Sequence, residues 1–139
     1  MKSFLSPLVR SEAAGFALTN TRNNRVVAHT LLTAFDSASR RTGLLKHESL
    51  EEGHALIIAP SNAIHTFWMR FAIDIAFVTR EGRVVKVCST VVPWRIAVAW
   101  RGYAVIELAA GALSLSDTQR GDVLQVTPAE HLPAAIQTV

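Results

Sequence analysis

The chain is poor in the residues that support several common kinds of protein chemistry. It contains a single cysteine, Cys88, in 139 residues. A lone cysteine cannot form an intrachain disulfide, and it excludes a multi-cysteine metal site. Charged residues make up only 18% of the chain, below the usual ~25%. Because half of the residues are hydrophobic, this composition excludes disorder and predicts one compact domain.

Long apolar runs and signature loops are also missing. No stretch approaches the ~18 residues free of polar groups that a membrane span needs. The apolar start of the chain is broken by Pro7, Arg10 and Glu12, so we expect no signal peptide and a cytoplasmic location. The sequence has no phosphate-cradling GxGxxG or GxxxxGK loop and no GxSxG elbow. The histidines show no metal-ligand spacing, so we expect neither a cofactor nor a metal.

Basic residues are in slight excess, with a net charge of +3 at pH 7. They are scattered, and the only clusters are Arg40-Arg41 and the group Arg80, Arg83 and Lys86. Since no basic tract stands out, the charge pattern does not favour nucleic acid as a partner.

Short apolar segments separated by turn residues fill most of the chain. They predict one β-rich domain over residues 15–127, a loosely ordered segment over 1–14 and a tail over 128–139. Thr33 and Gly43 are suited to the start and end of one helix, over 33–44. The connections are mostly of the hairpin type, so we predict a mainly β (α+β) fold, a small closed or rolled, largely antiparallel β-barrel with one packed helix. Strands are predicted over 16–19, 25–32, 54–59, 63–79, 83–92, 103–109 and 123–127.

The most informative pattern lies in residues 64–78. Apolar and mixed positions alternate there, which is typical of a strand with one buried face. A strand over 63–79 is unusually long, so we expect a bend near Met69–Ala72. The apolar positions are Phe67, Met69, Phe71, Ile73, Ile75 and Phe77, and the other face carries Thr66, Trp68, Arg70 and Asp74.

This stretch and several later motifs resemble an uncharacterised bacterial and archaeal family, domain of unknown function 192. The resemblance covers roughly residues 25–127, and it departs from the family pattern at Ala72, where proline is usual. The resemblance implies a β-rich fold. No biochemical activity is attached to the family that could be transferred to this chain, and the family includes cytoplasmic and exported members. The matching residues are Arg41, Gly43, Leu44, Thr66, Met69, Arg70, Phe71, Ile73, Asp74, Phe77, Gly82, Glu107, Leu108, Gly111, Gly121 and Asp122.

Two carboxylates, Asp74 and Glu107, stand inside apolar runs. Burying an ionised carboxylate without partners costs several kcal/mol, so each must be paired, hydrogen-bonded or in use. Asp74 is either a general base or ligand anchor, or a structural acceptor for backbone amides at the bend, for Thr66 or for Arg70. If the two lie close together, they form a pair that can divide acid and base roles in hydrolysis.

Three functions remain open at this stage, and the enzyme question is undecided. The first is a binding module that holds a small polar ligand or a partner segment in a cleft at one barrel end. The second is a hydrolase that uses Asp74 and Glu107. The third is weak binding of single-stranded nucleic acid by the Trp94–Arg101 loop, where Trp-Arg pairs occur twice. The expected ligand-binding residues are Thr66, Trp68, Arg70, Asp74, Glu107, Trp94 and Trp100.

Overall fold

The computed structural model describes residues 3–10 and 13–132. These residues contain ten strands, three short α-helices and one 3₁₀ turn. The helices are α1 (Ser6–Arg10), α2 (Ser37–Thr42) and α3 (Ala112–Leu115). The strands are β1 (Phe16–Asn20), β2 (Arg25–Ala28), β3 (Thr30–Ala34), β4 (His54–Ile58), β5 (Ala63–His65), β6 (Ile73–Val78), β7 (Val84–Val91), β8 (Ile96–Val98), β9 (Ala104–Ala109) and β10 (Leu124–Pro128).

A five-stranded sheet in the order β3-β4-β9-β6-β7 forms the centre of the fold. The β3–β4 pair is parallel, and the other pairs are antiparallel. A three-stranded sheet, β10-β1-β2, and a two-stranded sheet, β5-β8, accompany it. All three sheets are open in the described residues, so the mainly β class is confirmed and the closed or rolled barrel is not.

Apolar side chains cover both faces of the central sheet. On one face, Ile57 and Ile106 pack with Leu18 and Leu124 from the three-stranded sheet. On the other face lies a second cluster, which includes Ile75 and Phe77 together with Leu44, Met69 and Ala99. Every residue of β6 and of β9 is therefore buried. A central strand with two covered faces loses the alternation of buried and exposed positions.

The predicted long strand over 63–79 is interrupted. Its ends form β5 and β6, and the intervening residues 66–72 make a turn, which agrees with the bend expected near Met69–Ala72. The hairpin that follows was also predicted, and Gly82 closes it with a φ of 91°. A Cβ at Gly82 would overlap the carbonyl oxygen of Leu124, so this turn requires glycine.

Two other elements differ from the sequence predictions. The strand expected over 25–32 is divided between β2 and β3, which belong to different sheets. The helix expected from Thr33 begins later, because Thr33 lies in β3 opposite Ile57 of β4. Asp36 is its N-cap instead, since the Asp36 carboxylate accepts from the backbone N–H of Ser39 at 2.8 Å. Pairing with a distant strand has overridden a local capping signal.

Residues 3–10 and 128–132 are more structured than the sequence suggested. Residues 3–10 differ from the expected loose segment, since Leu5 and Leu8 of the α1 region are buried in the first core cluster. In the expected tail, Pro128 completes β10 and a 3₁₀ turn covers Ala129–His131. The predictions for residues 11–12 and 133–139 lie outside the described residues.

A buried polar network closes the β1–β2 turn. Asp122 accepts from Arg22 Nε at 2.7 Å, from Asn20 Nδ2 at 2.8 Å and from the Gln119 amide at 2.9 Å. Burial opposes ionisation of Asp122, but these hydrogen bonds outweigh it and lower the pKa of the carboxyl to about 2. The Gly121-Asp122 motif thus fixes the entry into β10.

None of the helices within 3–10 and 13–132 is long and apolar enough to cross a membrane.

Candidate functional site

Asp74 lies in β6 and is fully buried. Its Oδ1 accepts from the amide of Thr90 at 2.8 Å. Its Oδ2 accepts from the amides of Gly111 at 3.1 Å and Leu113 at 3.0 Å. The carboxylate therefore connects β6 to the end of β7 and to the turn between β9 and α3. Asp74 is thus a structural acceptor for backbone N–H groups, one of the alternatives left open by the sequence. The donors differ from those expected, because they do not lie at the bend or on Thr66 or Arg70.

Glu107 lies in the neighbouring strand, β9, but on the other face of the sheet. In the antiparallel register, Asp74 stands opposite Leu108, and Glu107 stands opposite Ile75. Residues directly opposite each other share a face, and successive residues alternate. Asp74 and Glu107 consequently point to opposite sides of the sheet. The hydrolytic carboxylate pair suggested by the sequence is not formed.

The Glu107 side chain is only 4% exposed. Its Oε2 is buried and has no hydrogen-bond partner among the residues that the structure describes. Burial raises the pKa of this carboxyl to about 8, because an apolar environment disfavours the charged form. Burial therefore favours the neutral form of Glu107, and one oxygen of its carboxyl group stays unpaired inside the described part of the protein.

Glu107 also lines a cleft of about 630 Å³. One wall is α2 with the residues that follow it, including Arg41 and Leu44, and the other wall is the segment 58–65. Arg40 is part of this wall as well, but its guanidinium already donates to Phe35 O at 2.6 Å. The Arg41 guanidinium is exposed and has no ion pair within the described ranges. A polar floor, a cationic rim and apolar walls are typical of a small-molecule site.

Thr66 has a different role, because its side chain is buried and joins two loops. Its Oγ1 donates to Val92 O at 2.8 Å and accepts from the Arg95 amide at 2.9 Å. Its backbone carbonyl accepts from the amides of Trp94 at 3.1 Å and Met69 at 3.2 Å. Thr66 therefore holds the turn after β5 against the loop before β8.

These two loops bring Trp68 and Trp94 together at the surface. The ring centroids are 4.6 Å apart with an edge-on geometry, and Trp94 also stacks on Phe67 at 5.7 Å. Trp68 is 70% exposed and Trp94 is 52% exposed. Their φ angles of 68° and 70° lie in the left-handed region, which costs a non-glycine residue about 1–2 kcal/mol. The Thr66 hydrogen bonds hold this conformation in place.

The remaining predicted site residues lie elsewhere. Arg70 is exposed and pairs with Glu48 at 3.5 Å. Trp100, the most exposed large apolar side chain at 88%, lines a separate cleft with Lys86 and Arg120. Of the seven residues expected to share one cleft, the structure brings Trp68 and Trp94 together around Thr66, and it separates Asp74, Glu107, Arg70 and Trp100.

The sequence did not predict which residues line the two clefts beside Glu107 and Trp100. Arg41 and Ser61 accompany Glu107, and Arg120 accompanies Trp100. The Arg40-Arg41 pair was one of few basic clusters, so a signal for the rim existed. Its proximity to Glu107 depends on strand order, which no local pattern encodes. Within the described ranges, no group of three His, Cys, Asp or Glu residues is arranged to hold a metal ion.

This architecture, an open mixed sheet covered on both faces with a cleft beside β9, defines a mainly β class of protein. The chain belongs to the family DUF192, described as an uncharacterized ACR, whose model matches residues 18–126. That family was already indicated by the motifs around Asp74.

Two solved structures share the fold. A protein of unknown function from Novosphingobium aromaticivorans superimposes with a TM-score of 0.68 and 22% identity, over 79% of this chain and 82% of that one. A putative transcription regulator from Sinorhizobium meliloti gives a TM-score of 0.69 and 20% identity, over 80% and 91%. At these identities the likeness concerns the fold alone. The curated proteins include no match to the chain.

Proposed function

We propose that the Glu107 cleft is a binding site for a small organic acid that also carries a hydrogen-bond donor, such as an α-hydroxy or α-amino acid. The observation that carries this proposal is the buried Oε2 of Glu107, which has no partner among the described residues. Leaving a buried acceptor unpaired costs about 1–3 kcal/mol. A ligand that draws the Glu107 side chain toward the cleft would let a hydroxyl or ammonium group pair with this carboxyl and recover that free energy.

The rim of the cleft is suited to bind the anionic part of the ligand. Arg41 is exposed beside the cleft and is not engaged in a salt bridge in the described part of the chain. A guanidinium binds a carboxylate through two parallel hydrogen bonds, which fixes orientation as well as charge.

The walls support a ligand with a short apolar body. Leu44, Ile58 and Met69 line the space between rim and floor, and Leu44 and Ile58 belong to the second core cluster. Since apolar walls bind apolar atoms and exclude water, they also strengthen the polar contacts inside the cleft. The site is a binding pocket between α2 and the segment 58–65 with Glu107 of β9 as its floor. A binding module is the first of the three functions suggested by the sequence.

A matched set of small acids tests the proposal. ¹H–¹⁵N spectra are recorded while lactate, alanine and propionate are added, which differ only in the hydroxyl, ammonium or hydrogen at the α-carbon. We expect lactate or alanine to shift the amides of residues 41–45, 61–65 and 106–108, and propionate to bind at least 5-fold more weakly.

Two variants identify the contacts. Glu107→Met keeps length and suits the apolar neighbours, so we expect it to remove the preference over propionate. Arg41→Gln should weaken all three acids, whereas Arg25→Gln, on β2 outside the cleft, should not. The proposal is wrong if none of the acids shifts these amides at millimolar concentration, or if Glu107→Met leaves the preference intact.

The hydrolase alternative lacks support, because Asp74 and Glu107 face opposite sides of the sheet. Asp74 also has its carboxylate occupied by three backbone amides.

A further inference from the structure

A second cleft has a volume of about 580 Å³ and is lined by residues of β7 and of the turn that follows β8. Trp94, by contrast, precedes β8 in the chain. Three cationic side chains line it: Lys86 from β7, Arg101 and Arg120. Trp100 lines it as well and is 88% exposed. No acidic residue is among the lining residues that the structure describes.

The positive charge of this cleft is not neutralised by the protein. Lys86, Arg101 and Arg120 form no salt bridge within residues 3–10 and 13–132. The acids that flank Arg120 in sequence, Asp117 and Asp122, are both paired with Arg22. Three cations without salt bridges around one concavity attract an anion, and phosphate is an anion that both Lys and Arg bind well.

The position of Trp100 is fixed by its backbone. Trp100 and Arg101 are the two central residues of a turn, in which the Gly102 amide donates to Ala99 O at 2.8 Å. The turn is attached to the domain, since the Ala99 amide donates to Asn62 O at 2.9 Å. The Lys86 ammonium is held close by, donating to Val98 O at 2.9 Å. The ring and the adjacent cation are thus presented together at the tip of an anchored turn.

We propose that the Trp100 cleft binds a nucleotide unit, with the base stacked on the Trp100 ring and the phosphate held by Arg101, Arg120 and Lys86. An exposed aromatic ring beside cations that track phosphates is the combination used to bind unpaired nucleotides. The nucleotide unit belongs either to a free mononucleotide or to a single strand, and the two sources share this chemistry. The site is independent of the Glu107 cleft and of the function proposed for it.

The structure also changes the set of residues that the sequence suggested for nucleic-acid binding. Trp94 and Trp100 were expected to act together, but Trp94 packs on Phe67 and Trp68. Arg120, far along the chain, is the residue that accompanies Trp100 instead.

Fluorescence anisotropy of a labelled twelve-nucleotide thymidine strand, at several salt concentrations, tests the proposal. In the strand, the three cations contact the phosphate of the stacked nucleotide and those of its neighbours. Log K should then fall with log[salt] with a slope of roughly −2, since each phosphate neutralised on a single strand contributes about −0.7. Arg101→Ala and Arg120→Ala should each make the slope shallower by about 0.7. Arg25→Ala removes the same charge outside the cleft and should leave it unchanged.

Stacking is tested by Trp100→Ala, which should weaken binding by roughly 5- to 100-fold. Trp100 is so exposed that this variant should retain the fold, and Trp68→Ala is the matched control at another exposed ring. Competition with thymidine monophosphate, thymidine and pyrophosphate separates the sources. Unlabelled strand is the reference competitor. Displacement by the monophosphate at a concentration similar to that of the unlabelled strand indicates a free nucleotide, and displacement by the unlabelled strand but not by the monophosphate indicates single-stranded nucleic acid.

Two results would overturn the proposal. One is the absence of binding to the strand and to the monophosphate at low salt. The other is binding that pyrophosphate displaces fully and that Trp100→Ala does not weaken, because the site would then recognise phosphate without a base.

Discussion

Asp74 and Glu107 lie in adjacent strands of one sheet, yet their carboxyl groups are separated by the sheet itself. Asp74 is opposite Leu108, the residue that follows Glu107 in β9. One carboxylate is satisfied by three backbone amides, and the other has a buried oxygen without a partner in the described residues. The same substitution, carboxylate to amide, should therefore have opposite effects at the two positions.

Asp74→Asn should destabilise the protein by about 2–4 kcal/mol. An asparagine offers one acceptor oxygen, and its NH₂ group would face at least one of the N–H donors of Thr90, Gly111 and Leu113. Urea unfolding at pH 7 measures the loss. An unchanged free energy of unfolding would show that these three hydrogen bonds do not hold the fold.

Glu107→Gln should stabilise the protein at alkaline pH. In the folded protein Glu107 keeps its proton up to pH about 8, whereas its ordinary pKa is 4.5. The unfolded chain therefore binds fewer protons than the folded chain in this window, and stability falls as pH rises from 4.5 to about 8.

The glutamine variant has no proton to lose, so its stability should lack this slope. We expect it to be about 2–4 kcal/mol more stable than the parent at pH 8. Urea unfolding at half-unit pH steps measures both proteins. Parallel pH profiles for the two proteins would contradict the assignment of the slope to Glu107.

Thr66→Val should destabilise the protein by about 1–3 kcal/mol, because it leaves the Arg95 amide and Val92 O without the Oγ1 partner. It should also weaken the near-ultraviolet circular dichroism that arises from the Trp68–Trp94 contact. Thr66→Ser keeps the hydroxyl and is the matched control. If valine and serine behave alike, the hydroxyl does not join the two loops.

Trp68→Gly should be more stable than Trp68→Ala by about 1 kcal/mol, the reverse of the usual order. Both variants remove the exposed ring. The difference between their stabilities therefore reports the conformational preference of the backbone at position 68, where φ is 68°. Thermal unfolding of the pair measures it. An alanine variant at least as stable as the glycine variant would mean that the turn relaxes to a negative φ once the ring is removed.

The sequence predicts much of this fold, and the reasons are local. Gly82 marks a tight hairpin, Gly43 ends the helix, and apolar runs bounded by turn residues locate β4, β6, β9 and β10. These signals depend on neighbouring residues alone, so a single sequence suffices to detect them.

The site could not be predicted in the same way, because it depends on which strands pair. The alternation around Asp74 indicated one exposed face, but β6 is central and covered on both sides. Glu107 was visible in the sequence as a carboxylate in an apolar run. The face on which it lies follows from its register with Ile75, a contact between residues far apart in sequence. The left-handed Trp68 carries no local signal, since tryptophan rarely adopts that conformation.

His65 connects the cleft to the two surface tryptophans through Phe67. It lines the Glu107 cleft, and its ring lies 5.1 Å from that of Phe67, which stacks on Trp94 at 5.7 Å. A molecule that enters the cleft and moves His65 therefore changes the surroundings of an indole. The intrinsic fluorescence of Trp94 therefore offers a label-free way to follow occupancy of the cleft.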